Sequence, residues 1–260
     1  MKKLFFFLWC ALLSILSSSL YSQTITVSGN VSGVWDCDTV KMASDITLPE
    51  SDSLTIMPGT VIESQGPYRF SVEGTLNATG TESQRILFTI IDTTELCNPA
   101  TPRGGWKGFL IQNLNPEKHI SFKYCDFEYG KAWDLTEDAC GGIFNIHNSG
   151  NITFEHCNIS HSVCEYLGGA MYLSNATAEF EQCHFHNNTA GIDSVGYGGA
   201  IVSMGGDVAW RHCTFEQNRS NGLGGAMCVW FPVQSEVTNS IFQHNTGSTG
   251  NHTHMAPPSP

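Results

Sequence analysis

The stretch HCTFEQNRSNGLGGAMCVW, from His212 to Trp230, decides the fold because related versions of it recur along the chain. It joins a cysteine, a Phe-x-x-Asn segment and a Gly-Gly pair that leads into an apolar run. Cysteine- or serine-centred copies begin at Ile120, Ile152, Ala178 and Ser235. Repetition of this kind is typical of proteins built from stacked units.

The repeat period and its internal pattern predict the fold class. Gly-Gly pairs begin at Gly141, Gly168, Gly198 and Gly224, with spacings of 27, 30 and 26 residues. Within a unit, apolar and polar residues alternate, which predicts short strands with one buried face. The unit is too short for a propeller blade, and no helical apolar period is present. We therefore expect an all-β protein, a right-handed parallel β-helix with one repeat per coil.

The same alignment predicts which residues lie inside the coils. Cysteines and phenylalanines that alternate with polar residues are expected to form inner ladders. Asparagines that close the repeats are expected at corners, where Asn tolerates left-handed backbone and bonds to its copies. Each Gly-Gly pair is expected to allow a tight turn and close approach of coils. The predicted ladder residues are Cys125, Cys157, Cys183, Cys213, Phe185, Phe215, Phe242, Asn188, Asn218 and Asn245.

These repeats carry a resemblance to a known group of proteins. The alternation of GGAM at Gly168 or GGAI at Gly198 with Phe-x-x-Asn resembles the repeats of chlamydial polymorphic outer membrane proteins. The segments LTIMPGTVI and VEGTLNATGT are similar to the first coils of secreted right-handed parallel β-helix proteins of Gram-negative bacteria. The resemblance implies the fold for the whole mature chain. It leaves function open among adhesins, lyases, hydrolases and stalks.

The ends of the chain suggest export. Two lysines, an apolar run and small residues give residues 1–22 the layout of a secretory signal peptide. We expect a secreted or surface-exposed Gram-negative protein with no transmembrane segment after signal removal. Residues 24–118 are expected to form the N-terminal cap and first coils, and residues 119–246 the regular coils. The Gly-, Thr- and Pro-rich composition of residues 247–260 predicts a disordered tail. We also expect an incomplete or absent C-terminal cap.

The charge balance limits the classes of partner. The chain has 24 acidic and 12 basic residues, a formal net charge of −12. Nucleic-acid binding requires clustered Lys and Arg, and no such run is present. We therefore expect no nucleic-acid partner, and the same charge disfavours polyanions.

Histidines supply the candidate ligand-binding residues. If the cysteines and phenylalanines point inward, these histidines lie on the outside of one sheet, with His186 beside Glu216. Imidazoles with a carboxylate suit zinc, but ligands on a flat sheet do not converge as structural zinc requires. We expect no metal and no other cofactor. The candidate residues are His156, His184, His186, His212 and Glu216.

Cysteines outside the ladder are candidates for disulfides, because an exported chain meets an oxidising environment. Cys140 and Cys164 lie near successive Gly-Gly turns, where a bridge would join neighbouring coils. Cys37 and Cys97 are a second candidate pair, at the N-terminal end.

We expect a non-catalytic module for adhesion or for binding an extracellular glycan or a protein on a host or neighbouring cell. Its working parts would be the polar face and the loops Asp92–Gly105, Gly130–Cys140 and Gly191–Gly198. Aromatic residues outside the inner ladder are suited to stacking on sugars. They are Tyr166, Tyr172, Tyr197, Trp133 and Trp230.

Two alternatives remain open. The first is a polysaccharide lyase or glycoside hydrolase, which needs carboxylates gathered on one face. Most acidic residues fall in different registers, and Glu155 and Glu181 share a row with Lys123 and Arg211, which favours charge pairing between coils. We therefore assign no catalytic residue. The second alternative is a structural stalk of a longer surface protein.

Overall fold

The computed structural model describes residues 23–133, 140–230, 234–248 and 253–255. Within these ranges the regular structure consists of β-strands, β1 to β29, and all strand pairings between them are parallel. Among the described residues, no helical segment has the length and hydropathy needed to cross a lipid bilayer. The predicted signal peptide, residues 1–22, lies outside the described residues.

Three long parallel walls and one short strip surround the core. Wall 1 consists of β2 (Gly33–Trp35), β4 (Ser53–Ile56), β7 (Thr75–Thr79), β10 (Ile120–Lys123), β14 (Ile152–Glu155), β18 (Ala178–Glu181), β22 (Asp207–Arg211) and β26 (Gln234–Thr238). Wall 2 consists of β5 (Val61–Ser64), β8 (Ile86–Ile90), β11 (Cys125–Glu128), β15 (Asn158–Ser160), β19 (His184–His186), β23 (Thr214–Glu216) and β27 (Ile241–Gln243). Wall 3 consists of β6 (Arg69–Val72), β9 (Gly108–Gln112), β13 (Phe144–His147), β17 (Met171–Ser174), β21 (Ile201–Met204), β25 (Met227–Trp230) and β29 (Thr253–Met255).

The remaining strands complete the solenoid. The corner strip consists of β12 (Lys131–Ala132), β16 (Val163–Cys164), β20 (Thr189–Ala190), β24 (Arg219–Ser220) and β28 (Thr246–Gly247). The long strand β3 (Thr39–Leu48) pairs with β5 through its first half and with β6 through its second, and β1 (Thr24–Asn30) pairs with β3. Each regular coil runs from wall 3 through wall 1 and wall 2 to the corner strip. The predicted right-handed parallel β-helix is confirmed.

The core is built from the inward-facing side chains of the strands, which alternate along each strand with outward-facing ones. Rings repeat at equivalent positions of successive coils and stack on one another, as at Phe154 and Phe180, whose ring centroids are 4.6 Å apart. On wall 2, Phe185 and Phe215 stack at 4.9 Å, and Phe215 and Phe242 at 4.6 Å. Such offset rings add to the stabilisation from apolar burial, which explains why the repeat retains aromatic residues here.

The three asparagines form a buried ladder along the corner after wall 2. Asn188 Nδ2 donates to Asn218 Oδ1 at 3.0 Å, and Asn218 Nδ2 donates to Asn245 Oδ1 at 3.0 Å. Left-handed backbone was expected at these asparagines, but it belongs instead to the residue before each, for example Gln217 with a φ of 54°. The preceding residue makes the turn and aims the Asn side chain inward.

The Gly-Gly pairs return the chain to wall 3. The first glycine of each pair has a positive φ, such as 63° at Gly198. A Cβ on the second glycine would collide with the next coil, since one on Gly199 would lie 2.0 Å from the carbonyl oxygen of Gly225. Both expected roles of the pair, the turn and the close approach, are present.

The end of the chain differs from the expected disordered tail. Residues 253–255 form β29, which pairs in parallel with β25. The first residue of the tail, Gly247, belongs to β28, which pairs with β24. Strand pairing therefore extends into the tail despite its Gly- and Pro-rich composition, because each open coil edge offers hydrogen-bonding groups to the next segment.

Candidate functional site

The five predicted ligand-binding residues lie at two separate places. His156 and His212 occupy the turn between wall 1 and wall 2, where both have a φ of 54°. His184, His186 and Glu216 lie on the outer face of wall 2, in β19 and β23. The prediction of a single outward face is therefore wrong, because the chain turns a corner directly after each wall 1 strand.

The wall 2 face carries a compact histidine cluster. The rings of His184 and His186 are 4.5 Å apart, and the ring of His161 lies 5.5 Å from that of His186. Glu216 is the register neighbour of His186, as expected, but its carboxylate approaches His184, with an Nε2 to Oε2 distance of 3.5 Å. Burial lowers the pKa of His184, and burial together with the neighbouring imidazoles lowers the pKa of His186 to about 4. His184 and His186 are therefore neutral near pH 7.

Side-chain contacts link neighbouring coils at the corner between wall 1 and wall 2. Lys123 Nζ lies 2.6 Å from a carboxylate oxygen of Glu155, and His212 Nδ1 lies 2.8 Å from one of Glu181. The ring of His156 stacks on Tyr124 at 4.5 Å. These polar groups satisfy one another, which leaves little there for a ligand. In the described part of the chain, no three His, Cys, Asp or Glu side chains are placed to hold a metal ion.

Loops emerge along one edge of the stack, between the corner strip and wall 3. The loop that contains Asp92–Gly105 is anchored by Lys131, which is 1% exposed. Its Nζ donates to the backbone oxygens of Glu95, Asn98 and Arg103 at 2.7 to 2.9 Å. Desolvation lowers the pKa of Lys131. The loop Gly191–Gly198 lies on the same edge, whereas residues 134–139 of the predicted loop Gly130–Cys140 lie outside the described residues.

Loop residues cover one of the two outward rows of wall 3. Val202 and Cys228 alternate with core residues, yet both are fully buried. Leu167, Tyr197 and Leu223 from the loops pack against them in a second apolar cluster. The loops therefore leave the other outward row as the open surface of this wall.

That second row forms a continuous line, which we name the outer track. Its residues pair in register from strand to strand, one per coil, and all are partly or fully exposed. Parallel strands are about 4.8 Å apart, so five coils span about 19 Å along the axis. The outer track consists of Gln112, His147, Ser174, Met204 and Trp230.

Aromatic side chains border the C-terminal end of the outer track. Tyr166 is 48% exposed, and its ring lies 5.9 Å from that of Tyr197. The ring of Tyr197 lies in turn 5.1 Å from that of Trp230. We name these three residues the aromatic strip. Of the other predicted aromatics, Tyr172 donates its hydroxyl to Met204 Sδ at 3.4 Å, and Trp133 lies under the Lys107 ammonium at 5.5 Å.

A cleft of about 350 Å³ lies at the N-terminal end of the outer track. Its polar lining comes from β6, β9 and the segments that follow β3, β6 and β9. Asn115 Nδ2 donates to Glu50 Oε1 at 2.8 Å, which fixes one side of the cleft. The cleft and the outer track share Gln112. The polar lining residues are Glu50, Ser71, Glu73, Gln112, Asn113 and Asn115.

The ladder cysteines are buried at successive coils, and the Cys213 amide donates to Ser240 Oγ at 3.1 Å, where serine replaces cysteine in the last copy. Cys37 and Cys97 are free thiols, so the structure does not contain the bridge suggested between them. Burial raises the pKa of Cys164 to about 12, and the nearby Cys140 acts in the same direction. Their disulfide stays a prediction.

Sequence reasoning missed the outer track, the cleft and a second asparagine ladder. Asn148 Nδ2 donates to Asn113 Oδ1, and Asn175 Nδ2 donates to Asn148 Oδ1, both at 3.2 Å. All three residues have positive φ at the turn from wall 3 to wall 1. Their recurrence was a usable signal, but asparagine is frequent throughout the repeats. The outer track gave no signal because its five residues differ in type.

The comparisons with known proteins agree with this architecture. A family model described as a right handed beta helix region matches residues 108–254, which is more than half of the chain. The matched segment begins at the first residue of β9 and includes every regular coil described above. No curated protein and no solved structure matches the sequence.

Proposed function

This chain belongs to the right-handed β-helix family, and we propose that it is an exported, non-catalytic module that binds an extracellular glycan along wall 3. The observation that carries the proposal is the outer track, a line of partly or fully exposed side chains in register over five coils. A linear array with one contact per coil matches a linear polymer. It matches a small metabolite poorly, because small-molecule sites are enclosed.

The chemistry of the wall favours a polysaccharide. The outer track and the cleft offer amide, hydroxyl and imidazole groups, which exchange hydrogen bonds with sugar hydroxyls. The aromatic strip supplies apolar surface with a polar edge, suited to the mixed faces of a sugar ring. The net charge of −12 disfavours polyanionic chains.

The test measures binding of the purified chain to immobilised neutral polysaccharides. Tyr166→Ala and Trp230→Ala each remove one ring of the aromatic strip, and we expect each to weaken binding about two- to tenfold. Ile241→Ala is the matched control, because Ile241 is 56% exposed on wall 2. If both aromatic variants bind as tightly as the wild type and melt near the same temperature, wall 3 is not the binding surface.

The rival reading, a polysaccharide lyase or hydrolase, is separated in the same reactions. New reducing ends or unsaturated uronate absorbance would replace the binding module with an enzyme. If the protein binds the polysaccharide and no product forms, the result supports a binding module without catalytic activity.

Export is the second part of the proposal, supported by the charged start and apolar run of residues 1–22. Fractionation of cells that express the full chain should recover it outside the inner membrane with its N-terminus processed near Ser22. Recovery of unprocessed chain in the cytoplasm would overturn this part.

A further inference from the structure

We propose that wall 3 selects its glycan by the rise per sugar, and that the preferred class is an extended chain of neutral β-1,4-linked sugars. This inference rests on the proposed function, because it names the class of glycan that lies along the outer track. The features that carry it are the spacing of the outer track and a second row of side chains beside the track.

The second row is the outer asparagine ladder, which consists of Asn113, Asn148 and Asn175. Each of them directly follows a residue of the outer track, at the turn where the chain leaves wall 3. All three residues are exposed. The outer track therefore lies between the row that the loops cover and this ladder, which borders its open side.

The ladder holds its amides at the repeat of the coils. Asn148 Nδ2 donates to Asn113 Oδ1, and Asn175 Nδ2 donates to Asn148 Oδ1, both at 3.2 Å. An amide nitrogen has two hydrogens and an amide oxygen accepts two bonds, so the ladder uses half of the hydrogen-bonding capacity of Asn148. The other half can exchange hydrogen bonds with the hydroxyls of a ligand, at the same interval as the coils.

The interval between contacts selects the type of chain. Neighbouring coils are about 4.8 Å apart, and the outer track offers one side chain per coil over five coils. A β-1,4-linked chain with equatorial linkages is an extended ribbon whose rise per sugar is close to this distance, so successive sugars meet successive coils. Chains linked β-1,3 or α-1,4 coil and advance less per sugar, so they lose register with the coils.

The two ends of the outer track suit the edge and the face of such a ribbon. Every sugar presents hydroxyls along the edge of the ribbon, which suit the amides of the ladder. The flat faces present C–H groups, which suit the rings of the aromatic strip. The ladder ends where the strip begins, because Gly205 follows the track residue Met204 in the coil after Asn175.

Wall 1 has the same repeat, but charged groups on its outer face contact one another. Lys123 Nζ lies 2.6 Å from a carboxylate oxygen of Glu155, and a guanidinium nitrogen of Arg211 lies 3.1 Å from one of Glu236. A neutral chain on that face would desolvate these charges without replacing their water. No lysine, arginine, aspartate or glutamate belongs to the outer track or the outer asparagine ladder, which favours wall 3 for a neutral chain.

The experiment compares three pentamers of glucose that differ only in linkage, β-1,4, β-1,3 and α-1,4, by titration calorimetry. We expect the β-1,4 pentamer to bind about tenfold more tightly than the other two, because only this pentamer keeps its contacts in register with the coils. Within the β-1,4 series, affinity should rise from the dimer to the pentamer and then level, since the outer track has five positions.

A variant of the ladder tests its part in this selection. Asn148→Gly removes the central amide, and glycine keeps the left-handed backbone, whose φ is 45°. We expect this variant to bind the β-1,4 pentamer about three- to tenfold more weakly. Asn187→Gly is the matched control, an exposed asparagine with a φ of 56° at the turn after wall 2, and it should leave binding unchanged.

The outcomes separate this inference from the proposed function. Equal affinity for the three pentamers, tighter binding of the β-1,3 or α-1,4 pentamer, or unchanged binding in a folded Asn148→Gly variant overturns the inference alone. Binding of a neutral polysaccharide but of no pentamer also overturns it, because a track of five positions should hold five sugars. Failure to bind any pentamer or any neutral polysaccharide overturns the proposed function.

Discussion

At the scale of single residues, His186 shows how stacking coils changes the chemistry of an outward side chain. Burial is the largest cause of its lowered pKa, and the neighbouring His184 and His161 act in the same direction. Glu216 and Asp126 act in the opposite direction without offsetting the shift. The stacking of coils therefore brings imidazoles close together that are far apart in the sequence, such as those of His161 and His186.

This shift makes stability depend on pH. The pKa of His186 falls from its ordinary 6.5 to about 4 on folding. Between these values the unfolded chain binds a proton that the folded chain does not, so stability declines as the pH falls through this window. In His186→Gln the melting temperature relative to wild type should rise by about 2 to 4 °C between pH 7 and pH 4. Parallel melting curves for this variant and for His119→Gln, an exposed control, would contradict the shift.

Sequence reasoning placed some of these residues correctly and not others. The period-two alternation is sufficient to place His184, His186 and Glu216 on the outer face of equivalent strands in successive coils. It fails at His156 and His212, because the corner residue takes left-handed backbone whatever its type. Equivalent corners hold Tyr124, Gln182 and Asn239, all with positive φ. His and Asn are enriched in left-handed backbone, but Tyr124 and Gln182 are not of those types, so residue type alone does not mark the corner.

At the scale of repeated elements, the buried asparagine ladder fixes the spacing of the coils. Asn218 Oδ1 accepts from both the backbone N–H and Nδ2 of Asn188, and Asn218 Nδ2 donates to Phe185 O at 2.9 Å. Every polar atom of this fully buried side chain is therefore satisfied. The ladder was predictable because Phe-x-x-Asn recurs, whereas its inward direction required the backbone.

Removal of one asparagine from the ladder should leave neighbouring buried groups without their hydrogen-bond partners. Asn218→Ala removes the acceptor of the Asn188 backbone N–H and the Nδ2 donor to the Phe185 carbonyl, together with the side-chain bonds to Asn188 and Asn245. Because these groups are buried, we expect a loss of about 2 to 4 kcal/mol in the free energy of unfolding. The measurement is denaturant unfolding followed by circular dichroism. Asn30→Ala, at an exposed strand position, should change it by less than about 0.5 kcal/mol. Similar values for the two variants would show that the ladder does not stabilise the stack.

At the scale of the whole molecule, the stack converts a repeat of 26 to 30 residues into a straight surface. The fold follows from alternation, Gly-Gly spacing and the closing asparagines, all of which are properties of one repeat. The binding surface does not follow from one repeat, because Gln112, His147 and Trp230 share no residue type. Only the register of wall 3 brings them into line.

The loops add the second feature that sequence alone does not supply. They cover one outward row of wall 3 and leave the other open, so the loops border the outer track along one side. The contrast with wall 2 is chemical as well as geometric. Wall 2 carries a histidine cluster that contacts Glu216, whereas wall 3 begins at two carboxylates, Glu50 and Glu73, without an ion-pair partner among the described residues.

Hydrogen–deuterium exchange of the chain, with and without saturating polysaccharide, tests the central claim most directly. If the glycan lies along wall 3, exchange should slow in the turns that follow its strands, residues 112–119, 147–151 and 174–177. The equivalent turns after wall 2, residues 160–162, 186–188 and 216–218, should be unchanged. Protection confined to the wall 2 turns, or none in either set under conditions where the polysaccharide is bound, would contradict the account.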